Sequence, residues 1–174
     1  MTQRRFTFRT QTSVTSNAPP ADVFVVVSDL RAHIVWSGER AEDPTFKLLT
    51  LEAPDGPATV GTAFASTGAN FNGTFRDRSV VAEASPPGRF VIETDARLER
   101  KRGRPWEVHF QHRYDIAAEG AESRITYTET ISRVNYVPYW LKPWMRPLSK
   151  LVINRADRKQ LANLARLAEE RSRS

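Results

Sequence analysis

Between Trp106 and Ile116 the chain alternates without a break. Trp106, Val108, Phe110, His112, Tyr114 and Ile116 share one parity, while Glu107, His109, Gln111, Arg113 and Asp115 share the other. Successive side chains of a strand point to opposite faces, so this is a half-buried β-strand with one wet face and one face on a core or cavity. His112 interrupts an otherwise apolar and aromatic parity, which makes a polar-lined pocket possible.

Similar runs flank it. Phe6, Phe8, Thr10, Thr12 and Val14 alternate with polar residues in a first strand that ends at Asn17. Pro19 and Pro20 then open a short helix, since the first helical turn does not need their missing amide hydrogen, and Val23, Phe24, Val27 and Leu30 recur at helical spacing. A second short helical segment from Asp29 delivers Trp36 before Ser37 and Gly38 end it. Strands are expected at Phe46–Leu51, Thr62–Thr67, Thr74–Ala84, Phe90–Ala96 and Arg124–Ser132, separated by turn chemistry such as Pro54-Asp55-Gly56-Pro57 and Pro86-Pro87-Gly88. Arg76, Asp77 and Arg78 blur the parity of the Thr74 strand.

The last strand carries a second anomaly. Ile125, Tyr127, Glu129 and Ile131 share its inner parity. If the loop from Ala117 to Arg124 closes a hairpin with Ile116 opposite Ile125, antiparallel counting sets His112 across from Glu129, close enough for an imidazole–carboxylate hydrogen bond. A bulge between the two would break that pairing.

The C-terminal third changes character. Tyr136, Tyr139, Trp140 and Trp144 crowd among Pro138, Pro143 and Pro147, with Lys142 and Arg146 between them. The segment either closes a pocket mouth or rests in a lipid interface. From Leu148 to Glu170 there is neither proline nor glycine, and helical projection groups Ile153, Asn154, Asp157, Leu161, Leu164, Ala165 and Ala168 opposite Arg155, Lys159, Asn163 and Arg166. Leu161 to Ala168 is a packing stripe; Asn154 and Asp157 make its upper part polar. Such a helix fits over a sheet with a partly hollow interior.

Composition narrows the function classes. A chain of 174 residues, 40% hydrophobic, suits one domain spanning 1–174 with its core at about 6–170. The absence of cysteine excludes disulfides, thiolate catalysis and cysteine-based zinc sites. The start, Met1 to Arg9, does not read as a secretory signal, and no apolar run reaches membrane-spanning length, so a cytoplasmic protein is expected. The net charge of +6 concentrates at Arg97, Arg100, Lys101, Arg102 and Arg104, placed by Gly103 and Pro105 on a hairpin tip. That tip is either a solvated loop or a peripheral contact with an anionic membrane. No nucleic-acid motif accompanies it. No glycine-rich phosphate loop, nucleophile elbow or zinc motif appears, and parity sends His109 away from His112, so neither cofactor nor metal is expected.

The order of these elements, with "APPADVFVVVSD" at Ala18 to Asp29, the turn Pro86 to Phe90 and a final helix containing "LANLARLAEE", resembles the START-related helix-grip superfamily of polyketide cyclases, dehydrases and lipid-transport proteins. The resemblance covers roughly Phe6 to Glu170. It implies an α+β helix-grip fold: a curved antiparallel sheet of about seven strands around a long C-terminal helix, with two short helices after strand 1. It also implies a hydrophobic small-molecule ligand, such as a lipid, isoprenoid or polyketide, held between sheet and helix. On that architecture the cavity candidates are Trp36, Phe64, Phe75, Phe110, His112, Tyr114, Tyr127, Glu129, Trp140, Asn154 and Asp157. Carrier function is one reading. The alternative is a cyclase- or dehydratase-like reaction in which Glu129 orients His112 and favours its protonated form for proton transfer, while Tyr114 or Tyr127 holds an oxyanion. His112 also reads as a satisfied core histidine, or as a ligand hydrogen-bonding group without a catalytic role.

Overall fold

The computed structural model describes residues 4–41, 47–70 and 72–173. Seven strands form one antiparallel sheet in the order β1-β7-β6-β5-β4-β3-β2, comprising β1 (Arg4–Ser16), β2 (Lys47–Glu52), β3 (Ala63–Asn70), β4 (Gly73–Ser85), β5 (Arg89–Arg100), β6 (Trp106–Glu119) and β7 (Glu122–Val134). Helix α1 (Pro20–Ser28) and the three-residue α2 (Ala32–Ile34), which widens into a π-turn at Val35–Glu39, follow β1. Helix α3 (Arg146–Ser172) packs on the sheet after a 3₁₀ turn at Tyr139–Leu141. This is the helix-grip arrangement. Phe46, expected to begin β2, lies outside the described residues.

Alternation places each strand's apolar parity under α3. On β6, Trp106, Val108, Tyr114 and Ile116 are buried, as are Ile125 and Ile131 on β7. The charged middle of β4 resolves cleanly: Phe75, Ser79 and Val81 are buried, Arg76 and Arg78 are exposed, and Asp77 therefore points inward. Pro147 sits in the first turn of α3, so this helix starts earlier than its proline-free stretch, as its N-terminal amides need no partners there.

The interior divides in two. One core joins α1, the π-turn and the C-terminal half of α3, with Leu161, Leu164, Ala165 and Ala168 buried against Val23, Val27 and Phe90. Asn163 is not on the water-facing side; its Nδ2 donates to the carbonyls of Arg40 at 2.9 Å and Trp36 at 3.3 Å, tying the π-turn to α3. The other core gathers Phe8, Phe75, Leu98, Trp106, Val108 and Leu141, with Phe110 and Trp140 packed against it.

Candidate functional site

Inner-face residues of β2 to β7 meet α3 and the π-turn around a cavity of about 120 Å³. Its polar lining includes His112 and Tyr114 from β6, Tyr127 from β7, Asp77 and Ser79 from β4, and Asp157 and Gln160 from α3. Leu48, Leu51, Phe64, Ile92, Leu161 and Trp36 supply apolar wall. The widened turn aims Trp36 inward. Gly38 behind it has a close-approach role, because a Cβ there would stand 2.8 Å from the Leu48 carbonyl oxygen.

The register sets His112 directly opposite Glu129, and the shift in the β6–β7 ladder falls beyond them, between His109 and Phe110. Opposition does not make them partners. The His112 Nδ1 lies 2.7 Å from the Tyr127 hydroxyl and 3.9 Å from the nearer Glu129 oxygen. Tyr127 in turn reaches Glu129 at 3.4 Å, its hydroxyl donating. The three thus form a chain with the phenol in the middle, because Tyr127 stands diagonal to His112 on the same face and is long enough to intervene.

Burial also reverses the expected charges. It pushes the His112 imidazole down to about 4, with minor repulsion from His33 and His109, so the ring is neutral at pH 7 rather than favoured as a cation. Burial raises Glu129 well above the carboxylate range, only partly countered by the Tyr127 hydrogen bond. Asp157 is raised too, by burial and then by the Glu129 charge. Asp77 is pushed up to about 6 by burial, against a hydrogen bond from Ser66 at 3.4 Å. Both tyrosines are displaced upward and stay protonated.

Among the described residues, several buried polar atoms around the cavity have no hydrogen-bond partner: the Trp36 indole Nε1, one oxygen of Asp77 and one of Asp157. Such atoms cost stability unless something meets them.

Of the residues expected from sequence, Trp36, Phe64, His112, Tyr114, Tyr127 and Asp157 line the cavity. Phe75, Phe110 and Trp140 do not; they belong to the second core, where Trp140 makes edge contacts with Phe8 and Trp106 at 6.4 and 5.5 Å. Glu129 stands behind Tyr127 rather than in the wall, and Asn154 is likewise outside it, its Oδ1 buried without a partner. Asp77 escaped notice because two arginines flank it, although Phe75, Ser79 and Val81 carry the parity that turns it inward. His33 also lines the cavity, its Nε2 held 2.8 Å from the Val27 carbonyl and its ring 4.7 Å from that of Trp36. Arg97 is not part of the free basic tip, since its guanidinium is held by Glu99 at 2.6 Å and Glu107 at 2.8 Å.

A sequence pattern described as polyketide cyclase / dehydrase and lipid transport matches residues 7–169. The chain belongs to the polyketide cyclase/dehydrase and lipid transport family. No curated protein matches it. Among solved structures, TTHA0849 from Thermus thermophilus superposes with a TM-score of 0.65 at 14% identity, covering 95% of this chain and 99% of that one. An uncharacterised protein from Rhizobium leguminosarum gives 0.63 at 16% identity, covering 96% and 99%. DynU16, described as a putative protein in the dynemicin biosynthetic locus, gives 0.54 at 16% identity, covering 92% of this chain and 47% of its own. These likenesses establish the shared fold. Family membership adds a hydrophobic-ligand-binding architecture. Among the described residues no helix is long and apolar enough to cross a membrane.

Proposed function

We propose that this family member binds a small, largely apolar molecule of single-ring size bearing one or two polar groups, as a binding or carrier protein. The observation that carries the reading is the set of unpartnered buried atoms, Trp36 Nε1 and one oxygen each of Asp77 and Asp157, around an otherwise mostly apolar cavity. A ligand with convergent polar atoms meets them while its hydrocarbon body covers Phe64, Ile92 and Leu161. The volume of about 120 Å³ is close to the roughly 150 Å³ that admits benzene in an engineered protein cavity, so a long acyl or isoprenoid chain needs the cavity to widen. Native mass spectrometry of freshly purified protein tests this directly. Wild type should retain a small molecule that the cavity-filling variant Ser66→Phe loses; identical spectra for both, with no adduct, would sink the proposal.

A second reading, dehydratase- or cyclase-like acid/base chemistry, is favoured by one arrangement. With Tyr127 donating to Glu129, its oxygen accepts from His112 Nδ1–H, which leaves Nε2 with a lone pair. A neutral base then shares the cavity with Asp157, a carboxyl held protonated. For a β-hydroxy carbonyl compound, His112 takes the proton α to the carbonyl, the β-hydroxyl leaves as water with the Asp157 proton, and a carbon–carbon double bond forms. Tyr127→Phe would remove the acceptor that holds His112 in this tautomer and lower such turnover about 10²-fold while ligand retention persists. Equal turnover in both proteins would remove Tyr127 from catalysis, and equal turnover of His112→Ala would remove His112.

A further inference from the structure

The end of the molecule opposite the cavity core carries an apolar patch that is left exposed among the described residues. Tyr139 and Trp144 are each 63% exposed, and Leu148, Leu151 and Val152 are 54%, 67% and 47% exposed. The helical spacing of Leu148, Leu151, Val152 and the exposed Arg155 puts them on one stripe of α3. The opposite stripe is taken: Ser149 donates to the Trp140 carbonyl at 2.6 Å, and Ile153 packs in the second core. These large side chains therefore point to water by construction.

Cations surround the patch. Lys142 lies 5.8 and 5.3 Å from the Tyr139 and Trp144 ring centres, and Arg155 is exposed on the patch's own stripe of α3. The β5–β6 hairpin tip is bound to the same end, with the Arg104 guanidinium 4.1 Å over the Tyr136 ring and Arg100 donating to the Tyr136 hydroxyl at 3.0 Å. Lys101 and Arg102 project beyond it. No acidic residue occurs between Thr130 and Ala156 or between Arg100 and Trp106.

We propose that this end docks on an anionic phospholipid bilayer, with Trp144, Leu148, Leu151 and Val152 in the interface and the hairpin tip and Lys142 over the headgroups. Aromatic and aliphatic side chains bordered by lysine and arginine match the two layers of a bilayer surface. Nucleic acid has no use for the leucines and the valine. A second copy of this chain, seated patch to patch, would bring cations against cations with no acid to offset them. The proposal stands on these surface residues and does not depend on what fills the cavity.

Co-sedimentation of the full chain with vesicles of phosphatidylcholine alone, and of phosphatidylcholine mixed with phosphatidylglycerol, is the test. The protein should sediment with the mixed vesicles and far less with the neutral ones. Lys101→Glu and Lys142→Glu should each weaken binding at least about fivefold, and Leu151→Ser should weaken it at every salt concentration. Matching far-UV circular dichroism will show that these surface variants remain folded. Absence of sedimentation with mixed vesicles would overturn the proposal. So would binding untouched by all three variants, or a dimer in solution that Leu151→Ser dissociates.

Discussion

Asp77 shows how one buried side chain carries the electrostatic character of the site. Its folded carboxyl titrates near 6, against 3.8 in the unfolded chain, so between those values the folded state holds a proton that the unfolded state has released. Stability from this group is present below pH 3.8, falls as pH rises to 6, and stays lost above it. Asp77→Asn abolishes that loss. It should raise the unfolding free energy at pH 7 by about 1–3 kcal/mol, with the gain vanishing towards pH 4, as read by urea denaturation at the two pH values. At this scale the sequence was only partly legible. The alternation of β6 and the hairpin count place His112 opposite Glu129, because parity and register depend only on chain position. The intervening Tyr127 hydroxyl and the neutral imidazole depend on side-chain reach and depth of burial, which alternation does not encode. Asp77 was hidden by a local charge pattern that reads as surface.

Among the elements, β4 is the best example of a strand whose start is set by a single residue. A Cβ on Gly73 would stand 2.0 Å from the Glu99 carbonyl oxygen of β5, so the two backbones can approach only if that position is glycine. Gly73→Ala should force β5 to retreat and lower stability by about 1–3 kcal/mol in thermal or chemical denaturation. On α3, Leu161 is 2% exposed at the meeting of the packing stripe and the cavity wall. Leu161→Ala should cost about 2–5 kcal/mol and enlarge the cavity, as read by the same denaturation curves. The helix was readable from its missing prolines and glycines and from the Leu161–Ala168 stripe. Its earlier start at Arg146 was not, since Pro147 reads as a breaker unless the first turn is known to accommodate it. The widened turn at Val35–Glu39 has no periodic signature short enough to detect.

For the molecule as a unit, the seven strands and long helix build two interiors with different uses. The core under α1 and the C-terminal half of α3 leaves a cavity edged by polar groups, whereas the second, aromatic core lies beneath the N-terminal half of α3. Phe75 and Phe110 share the inner parity of the cavity residues, so sequence alternation alone assigns them to one pocket. Only the position of the Tyr139–Leu141 turn, which seats Leu141 fully buried and Trp140 on Trp106, separates the two. The defining property of the cavity is that burial keeps its imidazole neutral and raises its carboxyls above their ordinary range, and not an ion pair between His112 and Glu129. An NMR pH titration of the His112 ring nitrogens alongside the Glu129 carboxyl carbon probes that property with no intermediate step. His112 should stay neutral from pH 8 down to about 4 while Glu129 titrates above its ordinary 4.5. An imidazolium facing an ionised Glu129 at pH 7 would contradict it.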